Sequence, residues 1–223
     1  MASTRRSAPR VDHEFGERII YSGNENGSLR VTGEDRMRNS AAYLDELRII
    51  HRELGIPEDC MLGRQGPIFL ENSEIIRVGV DFYNRELYLG RGAAEAWISM
   101  QSEARHDGVN LTIVSGFRSV RRQQEIIRRK LDAGHELMQI LRVNAAPGYS
   151  QHHTGLALDL ADDSGYEPLT EAFEEQPAFE WLSQHAGRFG LMLQYPRGNS
   201  YGFIYEPWHW ALETVHDFAL RRG

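Results

Sequence analysis

Two short segments that carry metal-binding side chains constrain this chain more than any other feature of its sequence. The first runs from Pro147 to Asp159 and includes His152, and the second is Glu206-Pro207-Trp208-His209, about fifty residues later. Two imidazoles and a carboxylate can hold a zinc ion and leave a coordination position open, as hydrolytic zinc sites require. Glu206 is a spare carboxylate that can serve as a general base. The fold must therefore bring both segments together, and the pattern indicates a metallohydrolase.

Each of these residues, taken alone, also has an ordinary structural explanation. In the segment 156–160 the leucines face one side of a predicted strand, and Ala157 and Asp159 face the other. A buried aspartate needs a partner, and an arginine serves as well as a metal. His152 or His209 alone would more often be a loop or core histidine. The joint pattern favours a metal site, and two nitrogen ligands with one oxygen suit Zn²⁺ better than Mg²⁺ or Ca²⁺.

Basic side chains cluster in one predicted turn and in the helix that follows it. Arg118 lies in the turn 115–119 after a short buried strand. It can stabilise a developing oxyanion, or it can form a salt bridge with one of the many acids, which is the commoner use. The next helix is interpreted as a solvated basic face, which carries Arg121, Arg122, Arg128, Arg129 and Lys130.

Composition and charge exclude several classes of protein. The 223 residues suit one domain with an extension, and the net charge of -7 argues against a nucleic-acid partner. No apolar run approaches the roughly 18 residues that a membrane-spanning helix needs. The basic N-terminus has no apolar stretch after it, so we expect no signal peptide and a cytoplasmic location. The single Cys60 fits a reducing compartment. The oligomeric state stays open.

Hydrophobic periodicity and turn residues predict alternating helices and strands. We expect helices over 41–54, 92–106, 120–132 and 179–189, and a short C-terminal helix. We expect strands over 75–83, 86–89, 111–114, 156–160, 191–195 and 203–210, with a loop over 134–150. Residues 1–87 contain no cluster of metal ligands and are interpreted as an N-terminal extension that packs on a catalytic domain of residues 88–223.

Residues from about 88 to 212 resemble the VanY-type D-alanyl-D-alanine carboxypeptidases, zinc peptidases related to the VanX-type dipeptidases. The family motif S-x-H-x-x-G-x-A-x-D is complete from Ser150 to Asp159. The upstream S-G-[YF]-R-S turn is residues 115–119, and the downstream E-P-W-H is residues 206–209. One departure follows at Trp210-Ala211-Leu212, where the family usually has an aromatic-Arg-Tyr-Val-Gly run. An arginine is therefore missing near the site.

The resemblance assigns a role to each candidate residue. It implies a zinc ion held by His152, Asp159 and His209. It implies Glu206 as the catalytic base and Arg118 as the residue that orients and stabilises the scissile carbonyl. It also suggests that the terminal carboxylate of a substrate is held by Gln123 and Ser150.

The resemblance also implies a fold and an activity. The fold is α+β, with a mostly antiparallel central sheet flanked by helices and a zinc-binding cleft, as in hedgehog-like domains and D,D-peptidases. The activity is removal of a C-terminal D-alanine from peptidoglycan-derived peptides. The expected cytoplasmic location favours an L,D-carboxypeptidase that acts on tetrapeptide in cell-wall recycling. The alternatives are a D,D-carboxypeptidase on pentapeptide, an endopeptidase of the same family, and a non-catalytic zinc-fold binding module.

Overall fold

The computed structural model describes residues 33–57 and 66–220, so residues 1–32 of the predicted extension lie outside the described residues. Its helices are α1 (Gly33–Leu54), α2 (Arg91–His106), α3 (Val120–Asp132), α4 (Leu137–Val143) and α5 (Pro177–His185). Its strands are β1 (Ile75–Val80), β2 (Glu86–Gly90), β3 (Thr112–Ser115), β4 (Ala157–Ala161), β5 (Leu191–Leu193) and β6 (His209–Leu212). In this part of the chain, no helix is both long enough and apolar enough to cross a bilayer.

The central sheet has four antiparallel strands in the order β3-β4-β6-β5, and β1 and β2 form a separate antiparallel hairpin. The α+β fold class with an antiparallel sheet is thereby confirmed. Asp159 of β4 lies opposite His209 of β6 on one side and opposite Ser115 of β3 on the other. Side chains of directly opposed residues lie on the same face of a sheet. The strand register therefore places two of the predicted metal ligands next to each other.

The sheet cluster is the larger hydrophobic core, and it joins the central sheet to α2 and α5. Its fully buried members include Leu89, Ile113, Leu158, Leu160 and Leu191. Burying one such side chain contributes about 1.5–3 kcal/mol relative to exposing it. The leucines of β4 are buried as the alternation predicts, but the whole of β4 is buried because β3 and β6 flank it.

The helix cluster is a second, smaller core, and it includes Ala146 and Tyr149 of the loop 144–150, the metal-motif loop, which leads into the metal motif. Helix α1 presents Leu47, Ile50 and Leu54 at helical spacing, and it packs against α3. The members of the cluster are Leu47, Ile50, Leu54, Ile56, Val120, Ile127, Ile140, Leu141, Ala146 and Tyr149. The helix cluster therefore connects the N-terminal segment to the residues that lead into the metal motif.

Two sequence-based predictions of secondary structure are wrong. The predicted loop over 134–150 contains α4, whose Ile140 and Leu141 are buried in the helix cluster. The predicted strand over 203–210 begins only at His209. The Glu206 amide donates to the Tyr195 carbonyl and the His209 amide donates to the Glu206 carbonyl, so the chain turns there. Pro207 has no amide hydrogen for a strand ladder, which agrees with this turn.

Candidate metal centre

Three buried side chains from different elements form the candidate metal centre. His152 lies in a 3₁₀ helix (Gln151–Thr154), Asp159 lies on β4, and His209 is the first residue of β6. His152 Nε2 is 3.2 Å from Asp159 Oδ2, and His209 Nδ1 is 2.9 Å from Asp159 Oδ1. The ligand atoms of the three residues lie within 4.8 Å of one another. The fold thus brings together the three ligands predicted from the sequence.

Hydrogen bonds to the other ring nitrogens fix which nitrogen of each histidine faces the centre. His152 Nδ1 is 2.7 Å from the Gly116 carbonyl oxygen. A carbonyl only accepts, so Nδ1 carries the hydrogen and Nε2 keeps its lone pair. His209 Nε2 is 2.9 Å from Gln151 Oε1, which leaves Nδ1 free to coordinate. Such contacts orient ligating imidazoles in metal sites.

Gln151 is a functional residue that the sequence analysis missed. Its side-chain amide donates to Gln194 Oε1 at 3.0 Å while its oxygen accepts from His209, so both ends of the amide are used. Gln151 is 1 % exposed. The only sequence signal is its position between Ser150 and His152 in the motif. Nothing in that spacing predicts a contact with a histidine 58 residues away.

Electrostatics favour the protonation states that bind a metal ion. Burial lowers the pKa of His152 to about 4, so its imidazole is neutral near pH 7. Burial alone would raise the pKa of Asp159, but the neighbouring His152 and His209 hold it well below its usual range. A neutral imidazole and an ionised carboxylate are the forms that coordinate a metal.

The donor set and its spacing fit zinc. Tetrahedral zinc with ligand bonds of about 2.0–2.2 Å places neighbouring ligand atoms roughly 3.3–3.6 Å apart. The ligand atoms of the three residues lie within 4.8 Å of one another, and each histidine nitrogen contacts a different oxygen of Asp159, His152 at 3.2 Å and His209 at 2.9 Å. His152, Asp159 and His209 would hold the ion, and three protein ligands leave one position for water or substrate.

Glu206 and Arg118 line the same cavity as the three ligands, and its volume is about 340 Å³. Burial raises the pKa of Glu206 to about 8, and the nearby Asp159 carboxylate adds to that effect. The Arg118 guanidinium lies 3.7 Å from Asp159 Oδ2. The arginine partner considered for Asp159 is therefore present, but the histidine nitrogens lie closer to the carboxylate.

The two residues predicted to bind a substrate carboxylate have different environments. Ser150 lines the cavity, and its hydroxyl accepts from the His152 amide at 3.3 Å. Gln123 is fully buried. Its Nε2 donates to the Ala145 carbonyl at 2.6 Å, and its Oε1 accepts from Arg118 at 2.9 Å. Gln123 therefore positions Arg118 in this structure, and carboxylate binding by Gln123 and Ser150 stays a prediction.

His153 turns away from the metal centre and ties two loops together. Its Nδ1 donates to the Arg118 carbonyl at 2.6 Å, and its Nε2 accepts from the Gly148 amide at 3.1 Å. The Arg118 amide in turn donates to the His152 carbonyl at 3.1 Å. His153 thereby holds the backbone of the turn 115–119, which carries Arg118, against the metal-motif loop.

Gly155 allows the backbone to pass close to β2. It adopts the left-handed conformation at φ +68°, and a Cβ there would lie 2.6 Å from the Gly90 backbone nitrogen. Its carbonyl accepts from that same nitrogen at 2.9 Å. Because the obstructing atom is backbone, only glycine fits between His152 and β4.

Comparisons with known proteins agree with this geometry. A family model described as VanY, D-alanyl-D-alanine carboxypeptidase, matches residues 86–214. The chain is 32% identical over 145 residues to a putative carboxypeptidase YodJ of Bacillus subtilis (strain 168), covering 62% of this chain and 53% of that protein. It is 24% identical over 186 residues to a D-alanyl-D-alanine carboxypeptidase of Enterococcus faecium, covering 82% of this chain and 56% of that protein. The chain thus spans about half the length of these two curated relatives.

Solved structures with the same fold extend the comparison. The LdcB LD-carboxypeptidase superposes with a TM-score of 0.58 at 30% identity, covering 66% of this chain and 72% of that chain. A second structure is a mutant of the D,D-pentapeptidase VanY from the VanB-type resistance cassette in complex with Zn(II). It superposes with a TM-score of 0.53 at 26% identity, covering 69% of this chain and 86% of that chain.

Proposed function

We propose a zinc carboxypeptidase function from one premise: this chain belongs to the VanY family of D-alanyl-D-alanine carboxypeptidases, whose model matches residues 86–214. The proposed reaction removes a C-terminal D-alanine from peptidoglycan-derived peptides. The observation that carries the proposal is the joint placement of the three ligands with Glu206 and Arg118 around one cavity. A binding module needs neither a buried carboxylate with a raised pKa nor a partly buried guanidinium beside the ligands.

Zinc supplies Lewis-acid polarisation of the scissile carbonyl and lowers the pKa of water when it is bound. Glu206 is the base that takes a proton from the attacking water. After the water oxygen has added to the carbonyl carbon and the C–N bond has broken, Glu206 returns that proton to the leaving amine. The raised pKa of Glu206 suits a group that must first accept and then donate a proton near neutral pH.

Arg118 binds the substrate carbonyl oxygen and shares the negative charge that develops on it. Its guanidinium donates to Gln123 Oε1 at 2.9 Å and to Ser115 Oγ at 3.3 Å, so its orientation is set before substrate arrives. A preorganised cation of this kind needs little reorganisation during the reaction. Ser150 faces the same cavity and is available to the substrate carboxylate.

Within this activity we favour an L,D-carboxypeptidase that shortens tetrapeptide in cell-wall recycling. The similarity to the LdcB LD-carboxypeptidase, at 30% identity, supports this choice. The competing function is D,D-carboxypeptidase activity on pentapeptide. It is supported by the similarity to the Enterococcus faecium D-alanyl-D-alanine carboxypeptidase and to VanYB in complex with D-alanine-D-alanine. A cytoplasmic location remains part of the proposal, and cell fractionation tests it.

Mass spectrometry of products from separate tetrapeptide and pentapeptide muropeptides tests the proposal. We expect the tetrapeptide to lose one alanine, and we expect a chelator to stop the reaction. Shortening of the pentapeptide alone would assign D,D-specificity. A protein that binds zinc stoichiometrically and shortens neither peptide would be a binding module.

Glu206→Gln tests the assigned base. It keeps the size of the side chain and removes its ability to accept a proton, so we expect kcat to fall by about 10²–10⁴-fold with zinc still bound. A matched control is Glu213→Gln, because Glu213 is exposed and lies outside the cavity that holds the metal ligands. Full activity of zinc-loaded Glu206→Gln would disprove the mechanism.

A further inference from the structure

Lys130 is the only lysine in the 223 residues, and every other residue in the Lys+Arg count of 25 is an arginine. The basic pattern of the helix predicts that Lys130 lies on a solvated face. In the structure it lies in the last turn of α3 and is half-buried, and it lines the cavity that contains the metal ligands. That assignment to a solvated face is therefore wrong for Lys130.

The other basic residues of α3 have different surroundings. Arg121 pairs with Glu46 at 2.8 Å and Arg122 pairs with Glu125 at 2.7 Å. Arg129, the immediate neighbour of Lys130, is exposed and outside the cavity. Both residues are in the last turn of the helix, where cations interact favourably with the helix dipole. A dipole role alone therefore does not explain why Lys130 faces the cavity.

Lys130 has no carboxylate within ion-pair distance among the described residues, and its ammonium has no hydrogen-bond partner there. Burial lowers its pKa, and the nearby Arg118 lowers it further. A desolvated cation beside a second cation is unfavourable without a compensating anion. The carboxylates of the cavity, Asp159 and Glu206, both interact electrostatically with Arg118.

We propose that the Lys130 ammonium binds a carboxylate of the peptide substrate and so determines specificity at this site. The inference rests on the proposed carboxypeptidase function. Two substrate carboxylates share this chemistry: the C-terminal carboxylate of the leaving residue, and a side-chain carboxylate on the residue before the scissile bond. Gln123, which the sequence analysis assigned to the terminal carboxylate, already uses both ends of its amide within the protein. Lys130 is a cation of the same cavity and has no such partner among the residues that the structure describes.

Kinetics on matched peptides separate the two sources of the carboxylate. The four peptides are L-Ala-D-isoglutaminyl-X-D-Ala, in which the α-carboxyl of the γ-linked residue is an amide, with X either L-lysine or meso-diaminopimelate, each as the C-terminal acid and as the C-terminal carboxamide. We expect Lys130→Met to raise KM about tenfold only for peptides that carry the relevant carboxylate, because a hydrogen bond to a charged group is lost. Loss of the preference for acid over amide would identify the terminal carboxylate. Loss of the preference for diaminopimelate over lysine would identify the side chain.

Arg129→Met is the control, because it removes the same charge from the same helical turn outside the cavity. Lys130→Arg should restore most of the KM, and thermal unfolding should be alike for Lys130→Met and Arg129→Met. An equal fall in activity on all four peptides, or no difference from Arg129→Met, would overturn the proposal.

A binding measurement keeps the proposal testable if hydrolysis is absent. Reductive methylation with ¹³C-formaldehyde labels Lys130 and the N-terminal amine, and it preserves the positive charge. We expect the lysine methyl signal to shift with the carboxylate-bearing peptides and to stay unchanged with the peptide that lacks the relevant carboxylate. If none of the four peptides is hydrolysed, the proposed function fails, whereas a lysine signal that moves with none of them refutes the Lys130 subsite.

Discussion

The sheet cluster and the helix cluster support different parts of the candidate site by different means. Asp159 and His209 lie on adjacent strands above the sheet cluster, and the ladder register places them opposite each other. Ser150 and His152 follow a loop that rests on the helix cluster through Tyr149. Strands are held by many coupled hydrogen bonds, whereas this loop depends on a few contacts. Metal affinity should therefore depend mainly on the sheet, which carries two of the three candidate ligands, and the geometry of the substrate side should depend mainly on the helices.

The helix cluster also joins a segment outside the family match to the site. Helix α1 lies before residues 86–214, which the family model covers. Leu47 of α1 is 2 % exposed and lies against Gly148, and His51 Nε2 is 2.8 Å from the Pro147 carbonyl. The N-terminal segment thus contacts the metal-motif loop directly. If the two clusters support different parts of the site, substitutions in each should have different effects on zinc affinity and on KM.

Asp159→Asn should have the largest effect, because it removes the carboxylate that both histidines contact. We expect zinc affinity to fall by more than about 100-fold, since loss of an outer-shell contact alone costs 10–100-fold. Competition with a chromogenic chelator measures this affinity. Asp132→Asn, an exposed change on α3, is the control. Stoichiometric zinc at unchanged affinity in Asp159→Asn would contradict the ligand assignment.

Leu158→Ala and Leu47→Ala create equivalent cavities in the two clusters. Each should lower the free energy of unfolding of the metal-free protein by about 2–5 kcal/mol, measured by urea denaturation. Their functional effects should differ: Leu158→Ala should weaken zinc binding, and Leu47→Ala should mainly raise KM. Identical effects of both variants on zinc affinity and on KM would remove the proposed distinction.

Gln151→Ala should weaken zinc binding by about 10–100-fold, because Gln151 orients the imidazole of His209. Gln151→Glu keeps an oxygen acceptor at that position and should restore most of the affinity. Isothermal titration with zinc compares the three proteins. Unchanged affinity in Gln151→Ala would show that the sheet alone orients His209.

Gly148→Ala should overpack the contact between the loop and α1. A Cβ at Gly148 would lie 2.5 Å from Leu47 Cδ1, and the residue has φ +89°. Overpacking costs about 1–3 kcal/mol in the free energy of unfolding. In the Leu47→Ala background the steric part should disappear, so the double variant should be less destabilised than the sum of the single changes. If the losses in free energy of unfolding of the two single variants simply add in the double variant, residues 47 and 148 are not in contact.

The smallest effect concerns pH and His51. Burial lowers the pKa of His51, so a proton binds the unfolded chain more readily than the folded one. The stability from neutral His51 is present above the unfolded pKa of about 6.5 and is lost as pH falls through the window below it. His51→Gln keeps a donor for the Pro147 carbonyl and should reduce this loss. Urea denaturation of the metal-free original protein and of His51→Gln, each at about pH 5 and 7.5, measures this loss of stability. Both proteins contain His152 and His153, so a difference between their pH dependences is attributed to His51. The same pH dependence of the free energy of unfolding in both proteins would show that His51 does not contribute to it.

Sequence patterns predicted the elements whose structure follows from local spacing. The apolar periodicity of α2 and α3 and the alternation in β4 are visible in a few consecutive residues, and these elements formed close to the predicted bounds. Helix α4 was missed because seven residues give little periodicity, and its burial depends on contacts with α1 and α3. The start of β6 at His209 depends on a backbone hydrogen bond from Glu206 to Tyr195, which no local pattern encodes.

Residue types and their spacing are sufficient to predict which groups can bind a metal, their order along the chain, the family and the mixed fold with its antiparallel sheet. The folded structure is needed to see which nitrogen of each histidine faces the centre, that Gln151 holds His209, that Gln123 positions Arg118, and that Lys130 lines the cavity. The physical reason is that composition and spacing are local properties. Hydrogen-bond partners and burial are set by strand register and helix packing between residues far apart in the chain.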